Sequence, residues 1–310
     1  MIVIMYHYVR ERPIGPQWNF KSLDMEIFRL QLSLLQEKFN IVDAVEVTSG
    51  RYFERAFDPR DVLLTFDDGF SDHYQFVFKE LQSRELNGIF FPPIEPIINR
   101  RLLDVHKVHF ILACGINVQD LVSRAIQFMS RSGFSNHQVN LMRHTYTQKS
   151  ALDNADTIFL KRLLQHALPD SLRKELLSEL FLLGGLNEDS LVSDFYLTIP
   201  QMVEMRNSHM AFGCHGYKHV WLGRESTRNQ RRDIVESITF LQDHKLIDSE
   251  WFMCYPYGSY NTETIDICKD LGCLGGVTTT PGGYDQRIHS PFEIPRFDIV
   301  DFDRFVKLYI

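Results

Sequence analysis

Short, unbroken apolar runs alternate along this chain with longer segments whose apolar residues recur every three or four positions. Ile2 to Tyr6 is such a run, as expected of a strand buried on both faces of a parallel sheet. The segment from 23 to 39 follows, with Ile27, Leu30, Leu34 and Leu35 at helical spacing. Val62 to Phe66 predicts a second strand, 72 to 86 a second helix, and Gly88 to Phe91 a third strand. Strand and helix in alternation predict a parallel α/β architecture.

From about residue 100 the pattern changes. β-branched runs become scarce, and "DLVSRAIQFMS" and "SLRKELLSELFLL" read as amphipathic helices. We expect a helical insertion over 100–197 within an α/β domain formed by 1–99 and 198–310. Thr198 and Gln201 have capping-box spacing, with Pro200 in the first turn, so a helix begins where alternation returns. A strand at 210–214, a polar-faced helix at 226–244 and a strand running into a turn at 252–258 come next. A helix from Asn261, closed by Gly272, precedes strands expected at 275–280 and 293–300.

The chain has 310 residues, enough for one large domain or two ordinary ones. Its net charge of −7 argues against a general nucleic-acid binder and leaves room for a neutral or cationic sugar. Five cysteines, with no CxxC pair, do not form a disulfide or zinc-finger framework. "MIVIMYHYV" lacks a basic leader and a cleavage site, and no apolar run reaches the ~20 residues that span a bilayer. The expectation is a cytoplasmic protein with no transmembrane segment.

Chemistry enters at "LLTFDDGF", where Asp67 and Asp68 end a strand that looks buried. Charge there is costly unless it is used or solvated. Gly69 can adopt positive φ, turning the chain so that both carboxylates reach one pocket. His215 and His219 lie four apart in "CHGYKH", and on a helix both imidazoles face one way. Two nitrogens and one carboxylate make a metal site, and the second carboxylate serves as general base. The spacing does not say which aspartate does which. Pro256-Tyr257-Gly258 offers an aromatic wall and a backbone N–H for an oxyanion. Taken singly, each feature has a plainer reading: a solvated turn, a chance pair among twelve histidines, an ordinary loop.

Taken in order, "TFDDG" (65–69), "HGYKH" (215–219) and "YPYG" (255–258), each after a predicted strand, resemble the polysaccharide deacetylase family, the NodB-homology carbohydrate esterases. "MYHYV" (5–9) and "IPRFDI" (294–299) are similar to elements of one branch. The resemblance covers about 1–99 and 198–310. It implies an α/β fold, a distorted (β/α) barrel of the NodB-homology type with a helical insertion. It implies Asp67 as catalytic base, with Asp68, His215 and His219 as ligands of a divalent metal, most often zinc. Tyr257 would lend its N–H to the oxyanion. The implied substrate is an N-acetylated amino sugar of a surface polysaccharide or its precursor: a glycan, a nucleotide-sugar or a lipid-linked sugar.

The chain departs from the family pattern at three places. Gly216 stands where Ser or Thr is usual between the histidines. The arginine common before the Pro-Tyr loop is missing, and Arg296 is the candidate partner to orient Asp67. The C-terminal leucine-x-histidine motif is absent, leaving His289 and His7 as candidate general acids. These departures keep two alternatives in play: an inactive sugar-binding scaffold, and a deacylase acting on an O-acetyl ester or a non-sugar amide.

Overall fold

The computed structural model describes residues 1–11, 22–147, 153–299 and 302–309. The chain divides into two compact units. The first comprises Met1–Arg12, Ser22–Arg100 and Ser193–Ile310. Its frame is β1 (Ile2–Tyr6), β2 (Asp61–Asp67), β3 (Ile89–Phe91), β4 (Ala211–Phe212), β5 (Trp251–Cys254), β6 (Cys273–Val277) and β7 (Phe297–Asp298). All ladders among them are parallel. One sheet runs β7-β1-β2-β3-β4, and β5 pairs with β6. Single bridges join the two pieces, Cys214 to Met253 on one side and Val277 to Ile294 on the other. Through these bridges the strands close into an irregular barrel.

The strands are largely apolar because both faces are covered. Ile2, Ile4 and Tyr6 of β1 and Val62, Leu64 and Phe66 of β2 point outward. They pack with Phe28 and Leu32 of α1 (Met25–Lys38) and with Met202 and Met205 of α2 (Ile199–Asn207). Val3, Leu63, Ile89 and Phe91 have the opposite parity and fill the interior with Phe252, Cys254, Val277 and Ile294. Each fully buried Leu or Phe contributes roughly 1.5–3 kcal/mol. Thr65 and Asp67 share the parity of Leu63, so the Asp67 carboxylate belongs to the interior at the strand's C-terminal end.

Local capping follows the sequence closely. Thr198 caps α2 in a reciprocal capping box with Gln201. Ser226 caps α3 (Thr227–Asp243), and Asn261 caps α4 (Thr262–Asp270). Four expected elements differ, one being the strand at 210–214, whose ladder is only Ala211–Phe212. The segment 72–86 opens as a wide turn of π type, His73–Phe78, before one α-helical stretch, Lys79–Ser83. The strand expected at 275–280 lies at Cys273–Val277. The last strand is only Phe297–Asp298, since Pro295 has no N–H to give a ladder. Val300, at the end of that expected strand, lies outside the described residues.

The second unit includes Arg101–Val192 and is helical, with no strand among its described residues. Its longer helices are Asp104–Ala113, Val118–Arg131, Asn136–Tyr146, Ala155–Arg162 and Asp170–Leu183. Leu121, Ala125, Phe128 and Met129 on one helix and Leu176, Leu177 and Leu180 on another are buried at helical spacing. Among the described residues no helix is long and apolar enough to cross a membrane.

Candidate active site

Because the barrel strands are parallel, their C-terminal ends open on one face, the side where such barrels keep their chemistry. His7 follows β1, Asp67 ends β2, His215 comes after β4, and Tyr257 comes after β5. The turn after β2 uses two consecutive left-handed residues, Asp68 at φ 72° and Gly69 at φ 63°. Aspartate tolerates this region better than most residues. The Asp68 N–H donates to the Phe91 carbonyl (3.1 Å), which ties the turn to the end of β3. Adjacent carboxylates thereby serve one pocket from different directions.

Asp67 is locked. Arg296 donates Nη1 to Oδ1 at 2.8 Å and Nη2 to Oδ2 at 2.7 Å, with both side chains buried. Arg296 is held in turn by the Thr278 carbonyl (2.8 Å), Thr65 Oγ1 (3.1 Å) and Cys254 Sγ (3.3 Å). Burial pushes the Asp67 carboxyl up, but the Arg296 guanidinium outweighs it and holds the group at about 2. Asp67 is therefore ionised inside the barrel, and each oxygen keeps a second lone-pair direction.

Asp68 Oδ1 stands 3.5 Å from His215 Nε2 and 3.3 Å from His219 Nε2. All three residues are buried. Ligand atoms about 2.1 Å from a tetrahedral zinc lie about 3.4 Å apart, so this spacing fits one ion. Two imidazole nitrogens and a carboxylate oxygen form the donor set of a catalytic site that keeps a position open. His215 Nδ1 bonds the Cys254 carbonyl at 2.7 Å, which orients the ring and turns Nε2 toward Asp68. A second cluster, Asp67, His215 and Cys254, also has ligand spacing. The Arg296 guanidinium already occupies it as the cation.

The histidine pair departs from the helical expectation. The stretch 215–219 is a loop, with Gly216 at φ 70° and His219 at φ 54°. The rings meet edge to face at 4.7 Å because the backbone reverses, not because of helical periodicity. Tyr257 is also left-handed (φ 59°, ψ 10°); its ring stacks on Trp221 at 4.4 Å and lies 4.6 Å from His219.

The two candidate acids separate cleanly. His7 Nε2 is 3.9 Å from Asp67 Oδ2, and its side chain is 38% exposed. Its backbone carbonyl accepts a bond from His73 Nε2 at 2.8 Å. His289 is elsewhere: its Nδ1 accepts the Asp285 N–H (2.9 Å), and its ring lies against Tyr284. Tyr284 exchanges two backbone hydrogen bonds with Met1, at the opposite end of β1 from His7. His289 is corrected out of the site, since a strand of about 17 Å intervenes.

Three supports were not picked out from the sequence. His73 sits among Phe66, Phe70 and Phe90 beneath His7. The Cys254 carbonyl orients His215. Asp233 of α3 accepts the N–H groups of Tyr217 and Lys218. Only Asp233 left a signal: it is a carboxylate on the buried face of a helix whose other inward residues include Ile234, Ser237, Ile238 and Leu241.

Comparison with known proteins agrees with this architecture. The polysaccharide deacetylase family model matches residues 168–275, which contain His215, His219 and Tyr257. YxkH of Bacillus subtilis (strain 168), which bears the polysaccharide deacetylase name, is 28% identical over 118 residues. That match covers 38% of this chain and 40% of the relative's length. The Streptococcus pyogenes deacetylase PplD, solved in complex with acetate, superposes with a TM-score of 0.58 at 17% identity, covering 96% of this chain and 92% of that one. IcaB from Ammonifex degensii gives 0.56 at 16% identity, covering 98% and 95%. The BpsB deacetylase domain from Bordetella bronchiseptica gives 0.53 at 14% identity, covering 96% and 95%. The fold is the NodB type.

Proposed function

From a chain that resembles the polysaccharide deacetylases in family signature and in fold, we propose a metal-dependent deacetylase that removes the N-acetyl group from an amino sugar of a surface polysaccharide or its precursor. One observation carries the reading. A carboxylate and two imidazoles converge at 3.3–3.5 Å beside a second carboxylate that an arginine keeps ionised. Asp68, His215 and His219 would hold a divalent ion, and the nitrogen-rich set favours zinc. When bound, such an ion supplies Lewis acidity and a water of lowered pKa.

The chain's own residues have separate tasks in this reading. Asp67 takes a proton from the water that attacks the amide carbon. Arg296 holds it in one orientation, so no rotamer search precedes the transfer. The Tyr257 N–H donates a hydrogen bond to the tetrahedral oxygen and stabilises its negative charge. His7, beside Asp67 and open to solvent, gives a proton to the departing amine. The products are acetate and a free amino sugar. Acetate is also the molecule named with the similar PplD structure.

The scaffold alternative drew its support from the missing acid motif and from Gly216. His7, 3.9 Å from Asp67, offers a histidine beside the proposed base, which favours turnover. The test is acetate release by zinc-loaded protein over a panel of N-acetylated oligosaccharides, nucleotide-sugars and lipid-linked sugars, with a chelated control. Chelator-sensitive release is expected from at least one member. Asp67→Asn should lose turnover and keep its zinc. Activity retained in that variant overturns the role given to Asp67.

A further inference from the structure

The loop that carries both histidines is held from two sides by groups outside the three recognised motifs. Asp233 reaches in from α3. Its Oδ2 accepts the Tyr217 N–H and its Oδ1 accepts the Lys218 N–H, both at 2.9 Å. The Tyr217 carbonyl accepts the N–H groups of Ile94 (3.1 Å) and Glu95 (2.8 Å). The peptide units between His215 and His219 are thus clamped without help from a side chain in the loop itself. A buried carboxylate whose two oxygens each take a backbone N–H is a strong, directional anchor.

Gly216 belongs to the same device. At φ 70° it occupies a backbone region that L side chains rarely adopt. A Cβ built there would stand 2.5 Å from Asp233 Oδ2, closer than real contacts allow. Any side chain at 216, a serine or threonine included, would displace the carboxylate. A hydroxyl at 216 and the Asp233 anchor in this position are mutually exclusive.

We propose that Asp233 is the positioning residue of the His215–His219 loop, and that glycine at 216 is the space this anchor requires. The inference rests on the metal-site reading above. Asp233 touches neither substrate nor metal. It acts through the loop backbone, fixing the separation and aim of two ligand rings as outer partners of metal ligands do.

The test is zinc affinity, measured by competition with a chromogenic chelator, for the wild type, Asp233→Asn, Gly216→Ala and the double variant. Circular dichroism of each chelated protein checks folding. Asparagine keeps one acceptor and turns an NH2 toward the other backbone N–H. Wild type should bind zinc, and Asp233→Asn should bind roughly 10- to 100-fold more weakly. Gly216→Ala should weaken zinc comparably when Asp233 is present and much less in the Asp233→Asn background. That coupling is absent if the two residues act independently. Zinc binding by wild type with unchanged affinity in both single variants overturns the inference and leaves the metal site standing. Failure of wild type to bind zinc overturns the metal-site reading, and this inference with it. Should Asp233→Asn fail to fold, Gly216→Ala alone decides: unchanged affinity overturns the inference.

Discussion

Arg296 and Asp67 lie 229 residues apart and meet through two parallel hydrogen bonds inside the barrel, at 2.8 and 2.7 Å. Both side chains are almost fully buried, so each supplies much of the other's solvation. Removing one leaves the other buried and uncompensated, which typically costs about 3–5 kcal/mol. Arg296→Met should therefore destabilise the protein by that amount, while Asp67→Asn with Arg296→Met should cost clearly less than the two single changes added. Urea denaturation of the four proteins gives the cycle. Arg296→Lys retains charge but cannot make the paired bonds, and kcat should fall about 10- to 100-fold. The pair also has a pH signature. Asp67 sits at about 2, below its ordinary 3.8, so its contribution is complete above pH 3.8 and is lost as pH falls through 2.

His7 and His289 give a paired test of the proton donor. His7→Gln should lower kcat on an N-acetyl substrate by about 100-fold or more, in the range typical of a lost general acid. On an activated aryl acetate, whose leaving group needs no proton, the same change should have little effect. His289→Gln should leave both rates unchanged, because its ring is bonded at the far end of the barrel. Equal loss on both substrates would remove the acid role from His7.

His73 sets a second pH dependence, in stability rather than rate. Burial holds it well below 6.5, at about 4, although its bond to the His7 carbonyl acts in the other direction. Between these values the unfolded chain binds a proton that the folded protein does not. Stability should therefore rise with pH across 4 to 6.5 and level off above, by up to about 3 kcal/mol. His73→Gln should flatten that slope by one proton. Denaturation midpoints at pH 4.5, 5.5, 6.5 and 7.5 for both proteins check this, and parallel curves would contradict it.

What was legible in the chain depended on how local its cause was. β1 and β2 were visible because both faces of each are buried, leaving short runs in which Thr65 is the one polar residue between Val62 and Phe66. Thr198 and Asn261 were visible because a cap and its partner are three residues apart. β7 was expected within 293–300, but its short extent was not legible, since two residues carry no period. The histidine pair illustrates a right spacing with a wrong intermediate. Four residues bring the rings together here through Gly216 and a left-handed His219, a geometry that spacing alone reads as a helix. The different surroundings of Asp67 and Asp68 were invisible locally, because Arg296 and the two imidazoles distinguish the carboxylates only in three dimensions. Asp233 showed only as a carboxylate on a buried helix face; its role did not, because its partners are backbone groups, which every sequence possesses.

Tyr257 separates a backbone role from a side-chain role. It holds φ 59° and ψ 10°, a conformation costing a non-glycine residue about 1–2 kcal/mol. Its ring recovers part of this by stacking on Trp221 at 4.4 Å, worth about 0.5–1.5 kcal/mol. Tyr257→Gly removes both terms, so stability should change by less than about 1 kcal/mol. The N–H assigned to the oxyanion survives in that variant, as it does in Tyr257→Phe. Both should keep kcat within about tenfold of wild type, whereas losing an oxyanion donor costs about 100- to 1,000-fold. Steady-state kinetics on the substrate found by acetate release decide the matter. A loss near 100-fold in Tyr257→Phe would move the function from the backbone to the phenol. The same loss confined to Tyr257→Gly would mean that stacking on Trp221 is what aims the N–H.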